Sequence, residues 1–355
     1  MRKISLIAAA VAMTASSVYA DIQIGKGLNV GGYLDMTYQN VSNDLPAGTD
    51  YSGFSAVNAE VDFKMDFTKG LTARVDLDST SVFDAYNRTY GNTGNGTSFE
   101  QVRIDYAFGD STLTLGKFDT FVGLEALESP ELFQISKSYT SELTPTQHTG
   151  ASYMYNGGVW NAAVALANGY TVENGNNVGD NEDLSYVLHV GIKPVKAFSM
   201  NANYAIENRS KSTSSAIVNA AIPKATVKPA TFGTGDNDSD IWTIDATYSN
   251  HGWTVGAEYV NAETESTGGD IDTDAWMLMV NYMFTEQFGL TARYSVSETD
   301  QVTNLVDKDE YAIAASYAFT PNWSGLVEYR VEEDDNTTNR TIDQNTIALE
   351  TILTF

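Results

Sequence analysis

The sequence predicts an all-β fold: a transmembrane antiparallel β-barrel of about sixteen strands, with short turns at one end, long loops at the other and one long loop folded into the lumen. Three observations carry this reading. Apolar and polar residues alternate along most of the chain. The connections between alternating runs are short and long by turns. Aromatic residues flank the short connections.

The chain opens with Met1, Arg2 and Lys3, continues through a mostly apolar stretch from Ile4 to Met13, and reaches Ser16, Ser17, Val18, Tyr19 and Ala20 before Asp21. A basic start, a short apolar core and a small-residue cleavage site make residues 1–20 a secretory signal peptide, leaving 21–355 as the barrel. No later apolar run approaches the roughly 18 residues that a spanning helix needs. The absence of Cys excludes a disulfide scaffold and a Cys-ligated metal. With 46 acidic against 20 basic residues, the chain is not expected to bind nucleic acid, whose phosphates call for Lys and Arg.

The first alternating run sets Leu28, Val30, Leu34, Met36 and Tyr38 against Asn29, Tyr33, Asp35, Thr37 and Gln39. The second sets Val57, Ala59, Val61, Phe63, Met65 and Phe67 against Asn58, Glu60, Asp62, Lys64 and Asp66. After a turn at Thr68–Gly70, Leu71, Ala73, Val75 and Leu77 oppose Thr72, Arg74, Asp76 and Asp78. A period of two means a strand with one dry and one wet face. Similar runs follow near 100–108, 111–118, 148–156, 159–168, 184–193, 198–207, 240–249, 253–261, 273–284, 288–296, 309–319, 323–332 and 343–355. Most have the length of a tilted strand crossing a bilayer, about nine to thirteen residues.

Short connections at 68–70, 109–110, 156–158, 194–197, 250–252, 285–287 and 320–322 alternate with longer polar ones at 80–98, 169–183, 208–239, 262–272, 297–308 and 333–342. A soluble sandwich has no reason to sort its loops this way, whereas an outer-membrane barrel places short turns in the periplasm and long loops outside. Phe67, Phe108, Trp160, Trp253, Phe284, Phe319 and Trp323 flank the short turns, as an interfacial girdle would. The last run carries Ile347, Leu349, Leu353 and Phe355 on one face. An amphipathic final strand ending in Phe resembles the recognition strand of bacterial outer-membrane proteins.

The segment between the fifth and sixth strands, from Asp119 to Gln147, breaks the pattern. Phe121, Val122, Leu124, Leu127, Leu132, Phe133 and Ile135 make it too apolar for a solvated tail. It is expected to fold into the barrel mouth and narrow it.

Sixteen strands with a long loop after the fifth are similar in layout to the general diffusion porins of Gram-negative bacteria. Locally, Leu115–Phe118, Gly123–Glu125, Thr144–Gly150 and Ala167–Gly169 look like the OmpL-like β-barrel porins, while the Phe-Gly-rich loop signature of enterobacterial general porins is absent. The resemblance implies a protein of the Gram-negative outer membrane, in contact with its lipid, that passes small hydrophilic solutes and ions passively; the layout alone suggests a homotrimer. It also implies a constriction in which acidic loop groups face a basic wall. Lys64, Arg74 and Arg103 lie on the wet parity of successive strands and are the candidates for that wall. Asp119, Glu125, Glu128, Glu131 and Glu142 are the candidate loop acids. Carboxylates outnumber cations on the wet parity, so a preference for cations is expected. Lys117 falls on the dry parity and needs a bulge, a strand end or snorkelling.

Other functions are weaker readings. A sugar-specific channel would want an aromatic ladder in the lumen, and few aromatics besides Tyr33 lie on the wet parity. A plugged structural barrel is separated from an open one by conductance. An outer-membrane enzyme needs a catalytic set, and the three histidines offer none: His251 sits in a turn, His189 has no Ser or Asp pattern, and His148 lies about 13 Å along the strand from Ser152. Segments Gly179–Asp183 and Asp236–Asp240 resemble fragments of calcium loops but lack the terminal Glu. No catalytic residue, cofactor or metal site is expected; loose divalent bridging by external loops remains open.

Overall fold

A computed structural model describes residues 22–24, 27–43, 50–83, 96–168, 184–207, 239–265, 269–301, 304–336 and 342–355. The signal peptide expected at 1–20, the Gly179–Asp183 segment and residues 236–238 lie outside the described residues.

Seventeen strands join in one sheet. The first, β1 (Ile22–Gln23), is two residues long. The others are β2 (Leu28–Asn43), β3 (Tyr51–Thr68), β4 (Leu71–Phe83), β5 (Gly96–Phe108), β6 (Ser111–Asp119), β7 (Gln147–Asn156), β8 (Trp160–Asn168) and β9 (Leu184–Val195). They continue as β10 (Phe198–Glu207), β11 (Ser239–Asn250), β12 (Trp253–Thr264), β13 (Ile271–Met283), β14 (Phe288–Gln301), β15 (Asn304–Thr320), β16 (Trp323–Asn336) and β17 (Ile342–Thr354). From β2 onward each pairs antiparallel with its chain neighbour. β17 then pairs with β2, from Gln344 opposite Asn43 to Thr354 opposite Tyr33, and closes a barrel of sixteen spanning strands.

The two faces divide as the alternation predicts. On β8, Val164 and Leu166 point outward, while Ala163, Ala165 and Ala167 are buried inside. On β3 and β4, Glu60, Asp62, Asp76 and Asp78 face inward. An outer surface of exposed Leu, Ile, Val and aromatic side chains is the lipid-facing band of such a barrel. The girdle at the short turns is present: Trp253 packs against Tyr282 and Phe319 against Trp323 in tilted pairs, with ring centroids 4.4 and 4.5 Å apart. A second set of ring contacts lies towards the opposite end of the strands, linking Trp242 with Tyr259, Trp276 with Tyr294, and Tyr294 with Tyr311. Tyr259 and Tyr294 donate from their hydroxyls to Asp274 and Asp309, the wet end of an interfacial ring.

One expected external loop is shorter than its polarity suggested. Residues 297–308 are largely ladder, with Thr299 opposite Val306 and Gln301 opposite Asn304. Ser297, Glu298, Thr299 and Asp300 are polar on both parities, so the hydropathy period lapses although backbone pairing continues.

Phe355 extends the seam. Phe355 and Gly32 exchange backbone hydrogen bonds, each 3.0 Å. Gly32 has φ 149°, and a Cβ there would lie 2.1 Å from the Glu60 carbonyl and 3.1 Å from the Phe355 ring. Only glycine lets β2, β3 and the chain end approach so closely.

Candidate functional site

The segment between β6 and β7 enters the lumen and crosses it, with a 3-10 turn at Ser129–Glu131 and a short helix, α1 (Tyr139–Leu143). Its apolar side chains have definite seats. Phe121 and Val122, with Phe118 near the end of β6, pack on Ala163, Ala165, Val187 and Ala205, a patch of small residues on the inner wall of β8–β10. Burying each of these larger side chains contributes about 1.5–3 kcal/mol. Leu124 lies over Gly256 of β12, its Cδ2 only 3.0 Å from where a Cβ would stand. Ile135 packs against Tyr33, Leu326 and Ile352.

Polar groups of the wall then fix the loop backbone. The Leu124 N–H donates to Glu258 at 3.0 Å, and the Ile135 and Ser136 N–H groups donate to Glu328 at 2.9 and 3.2 Å. The Tyr139 N–H donates to Ser295 Oγ at 3.0 Å. Arg293 of β14, its side chain wholly buried, is the centre of this anchorage. Its Nη1 donates to Glu125 and to the Ser136 carbonyl, both at 2.7 Å, and its Nη2 to Glu310 at 2.7 Å and Ser136 Oγ at 2.8 Å. The second oxygen of Glu125 accepts from the Ser138 N–H and hydroxyl at 2.7 and 2.6 Å. Glu125 is therefore fully engaged in a clamp, on the opposite side of the lumen from the predicted basic wall.

The three basic candidates are neighbours across adjacent strands. Lys64 is directly opposite Arg74, and Arg74 directly opposite Arg103, so the three form one row across β3, β4 and β5. Arg74 binds Asp76 at 2.7 Å and lies 3.7 Å from Asp62; Arg103 lies 3.3 Å from Asp105. Asp119, at the end of β6, lies in the field of both arginines, and Glu131 in the field of Arg74. Glu128 accepts from the Tyr33 hydroxyl at 2.7 Å, and Asn58 in turn donates to that hydroxyl at 3.1 Å. Glu142 belongs to the other side, where Lys308, Arg330 and Arg293 are its cationic neighbours. The five candidate acids thus divide: Asp119, Glu128 and Glu131 towards the basic row, Glu125 and Glu142 towards β14–β16.

Burial, reinforced by Glu128, pushes the Glu131 carboxyl above its ordinary range. Burial also raises Glu142, against the opposing pull of Lys308. Lys137 is pushed down by burial, and its Nζ donates to the Leu127 carbonyl at 3.0 Å.

A bulge on β5 resolves the anomaly of Lys117. Asp76 pairs with Gln101 but Leu77 with Phe99, so Glu100 is an extra residue. The β5–β6 ladder stops at Val102 opposite Lys117, and Lys117 Nζ donates to the Phe99 carbonyl at 2.9 Å. The bulge also turns Glu100 inward, re-aiming a side chain whose parity is dry. Arg293, Glu258 and Glu328 carry a wet-parity signal in the sequence; Glu100 carries none.

Two of the three histidines have structural partners. His148 bonds Thr120 at 2.9 Å and lies beside Phe118 and Phe121. His189 bonds Asn161 and Asn203, both at 2.6 Å.

A closed barrel that is apolar outside, charged inside and crossed by an inward-folded loop belongs to the class of outer-membrane channels. The family profile described as Gram-negative porin matches residues 7–349, and the chain belongs to that family. Similar solved structures agree in fold. OmpF of Salmonella typhi, in complex with daunomycin, superposes with a TM-score of 0.65 at 13% identity, covering 94% of this chain and 100% of that one. An anion-selective porin from Comamonas acidovorans gives 0.65 at 12% identity, covering 92% and 99%. OmpT of Vibrio cholerae, in a trimer form, gives 0.62 at 14% identity, covering 93% and 100%. No curated protein matches the sequence. The protein is a porin of the Gram-negative outer membrane.

Proposed function

We propose that this porin is a passive channel for small hydrophilic solutes with a preference for cations, and that its work is conduction rather than catalysis. The observation that carries the proposal is the charge balance where the loop meets the β3–β5 wall. Arg74 and Arg103 are already committed to Asp62, Asp76 and Asp105, and the loop end of β6 and the loop itself add Asp119, Glu128 and Glu131. The basic row is thus outnumbered locally as well as over the whole lumen, and a low-dielectric wall focuses the resulting field on passing ions. An arginine row facing loop carboxylates sets a transverse field that favours polar solutes over apolar ones.

A homotrimer is part of the proposal, supported by the trimer form of the similarly folded OmpT of Vibrio cholerae. So is export with cleavage after Ala20, which intact-mass measurement of outer-membrane protein tests: a chain beginning at Asp21 is expected. Selectivity is tested by the reversal potential across a planar bilayer in a salt gradient. A sign favouring cations, weakening as salt rises and the screening length falls below about 8 Å, is expected. Anion selectivity would mean that Lys64, Arg74 and Arg103 dominate the constriction, as the similarly folded anion-selective porin of Comamonas acidovorans warns that the fold permits.

A further inference from the structure

Three carboxylates converge between the β3–β5 wall and the loop. Glu60 of β3, Glu100 at the bulge of β5 and Glu128 of the loop each bring one oxygen within 4.8 Å of the others. Glu60 is only 1% exposed, and neither of its oxygens has a hydrogen-bond partner. Glu128 is held from one side only: Tyr33 donates to Oε2, while Oε1 has no partner. Glu100 is oriented by the Gln147 amide, which donates to its Oε1 at 2.9 Å. None of the ion pairs among the described residues involves these three. Lys137 lies in the field of Glu125 first and of Glu128 and Glu100 after it, but its ammonium donates to the Leu127 carbonyl.

A neighbouring group of Glu60, Asp62 and Asp76 is equally close-packed. There Arg74 supplies the cation, reaching Asp76 at 2.7 Å and Asp62 at 3.7 Å. The loop-side group has no such counter-charge. Buried carboxylate oxygens that lack donors call for a bound cation or a shared proton. Oxygen-only ligands select a hard cation, and calcium, with ligands at about 2.4 Å, spans oxygen pairs up to about 4.8 Å apart. Magnesium, at about 2.1 Å and near-octahedral, needs a tighter cage.

We propose that Glu60, Glu100 and Glu128 bind one divalent cation of the calcium class, tying the loop to β3 and β5. The β5 bulge is then what completes the site, since Glu100 reaches it only as the extra residue. The cation anchors the loop at Glu128 as Arg293 anchors it at Glu125, and the site does not depend on the sign of the pore's selectivity.

The test is calorimetric titration of calcium chloride into the full mature barrel, folded in detergent without lipopolysaccharide, at neutral pH. One ion per protomer is expected, with affinity falling at least tenfold in Glu60→Gln, Glu100→Gln and Glu128→Gln. Glu142→Gln, a loop acid on the other wall, should bind as the parent does. A heat-modifiable band on a gel checks that each variant is folded; should Glu60→Gln fail to fold, Glu100→Gln and Glu128→Gln decide the matter. Two results overturn the proposal: no saturable binding up to millimolar calcium, which would assign the cluster to shared protons, or binding unchanged in Glu100→Gln and Glu128→Gln, which would place the ion elsewhere.

Discussion

The loop meets two walls of the same barrel, and they treat it differently. Along β12–β16 wall side chains bond the loop directly: Glu258 and Glu328 accept backbone N–H groups, Ser295 accepts from the Tyr139 N–H, and Arg293 joins Glu125 to Glu310. Along β3–β5 the strands carry a basic row, yet carboxylate oxygens of Glu60, Asp78 and Glu128 have no hydrogen-bond partner. The first wall is an anchorage, where satisfied groups fix geometry. The second holds the carboxylates to which the proposed cation would bind. Charge density alone does not separate the two walls; what differs is how many direct bonds each makes to the loop backbone.

Removing the anchor should have the largest effect. Arg293→Ala leaves Glu125 and Glu310 buried without their cation, which costs about 3–5 kcal/mol when a buried pair is broken on one side. The expected outcome is a lower unfolding midpoint in denaturant together with a larger, noisier single-channel conductance. A quiet channel of parental conductance would mean that the loop is held without the clamp.

On the other wall, Arg74→Gln combined with Arg103→Gln should leave the loop seated but shift the reversal potential further towards cations, because the row loses positive charge while the loop acids stay. A shift towards anions would reverse the roles given to the two sides of the constriction. Acid should act in the opposite direction. Glu131, beside the basic row, has a raised pKa, so it gains a proton above the ordinary carboxylate range as pH falls and loses its negative charge. The cation preference should therefore decline before ordinary carboxylates titrate, and less steeply in Glu131→Gln than in the parent. The smallest change is expected from Glu142→Gln, which faces Lys308 and Arg330: its reversal potential at neutral pH should match the parent's.

The strands were legible because a lipid-exposed barrel writes its two faces into alternate residues. The row of Lys64, Arg74 and Arg103 was legible for the same reason, aided by the short turn that pins β3 against β4. What parity does not carry is distance along the lumen. Five loop acids looked equivalent, and their division between two walls follows from where Leu124 and Ile135 find their seats, a long-range property of the fold. Arg293 and Glu328 were visible as inward charges, but nothing marked them as anchors before the loop's path was known. Glu100 was hidden altogether, because a bulge reverses parity and leaves no local signal. The ends of β14 and β15 were missed because ladder hydrogen bonds persist where hydropathy no longer distinguishes two faces.

The pairing of Phe355 with Gly32 also bears on how the molecule is made. Until β17 pairs with β2, both are open edges, each a template for pairing with another chain. Their contact is the most non-local in the sheet, so its loop-closure entropy must be met late, and topology of this kind folds slowly. The emerging polypeptide therefore has to be kept apart from its own copies for as long as the seam stays open. A defect at either Gly32 or Phe355 should appear first as aggregated precursor, with the barrels that do close conducting normally.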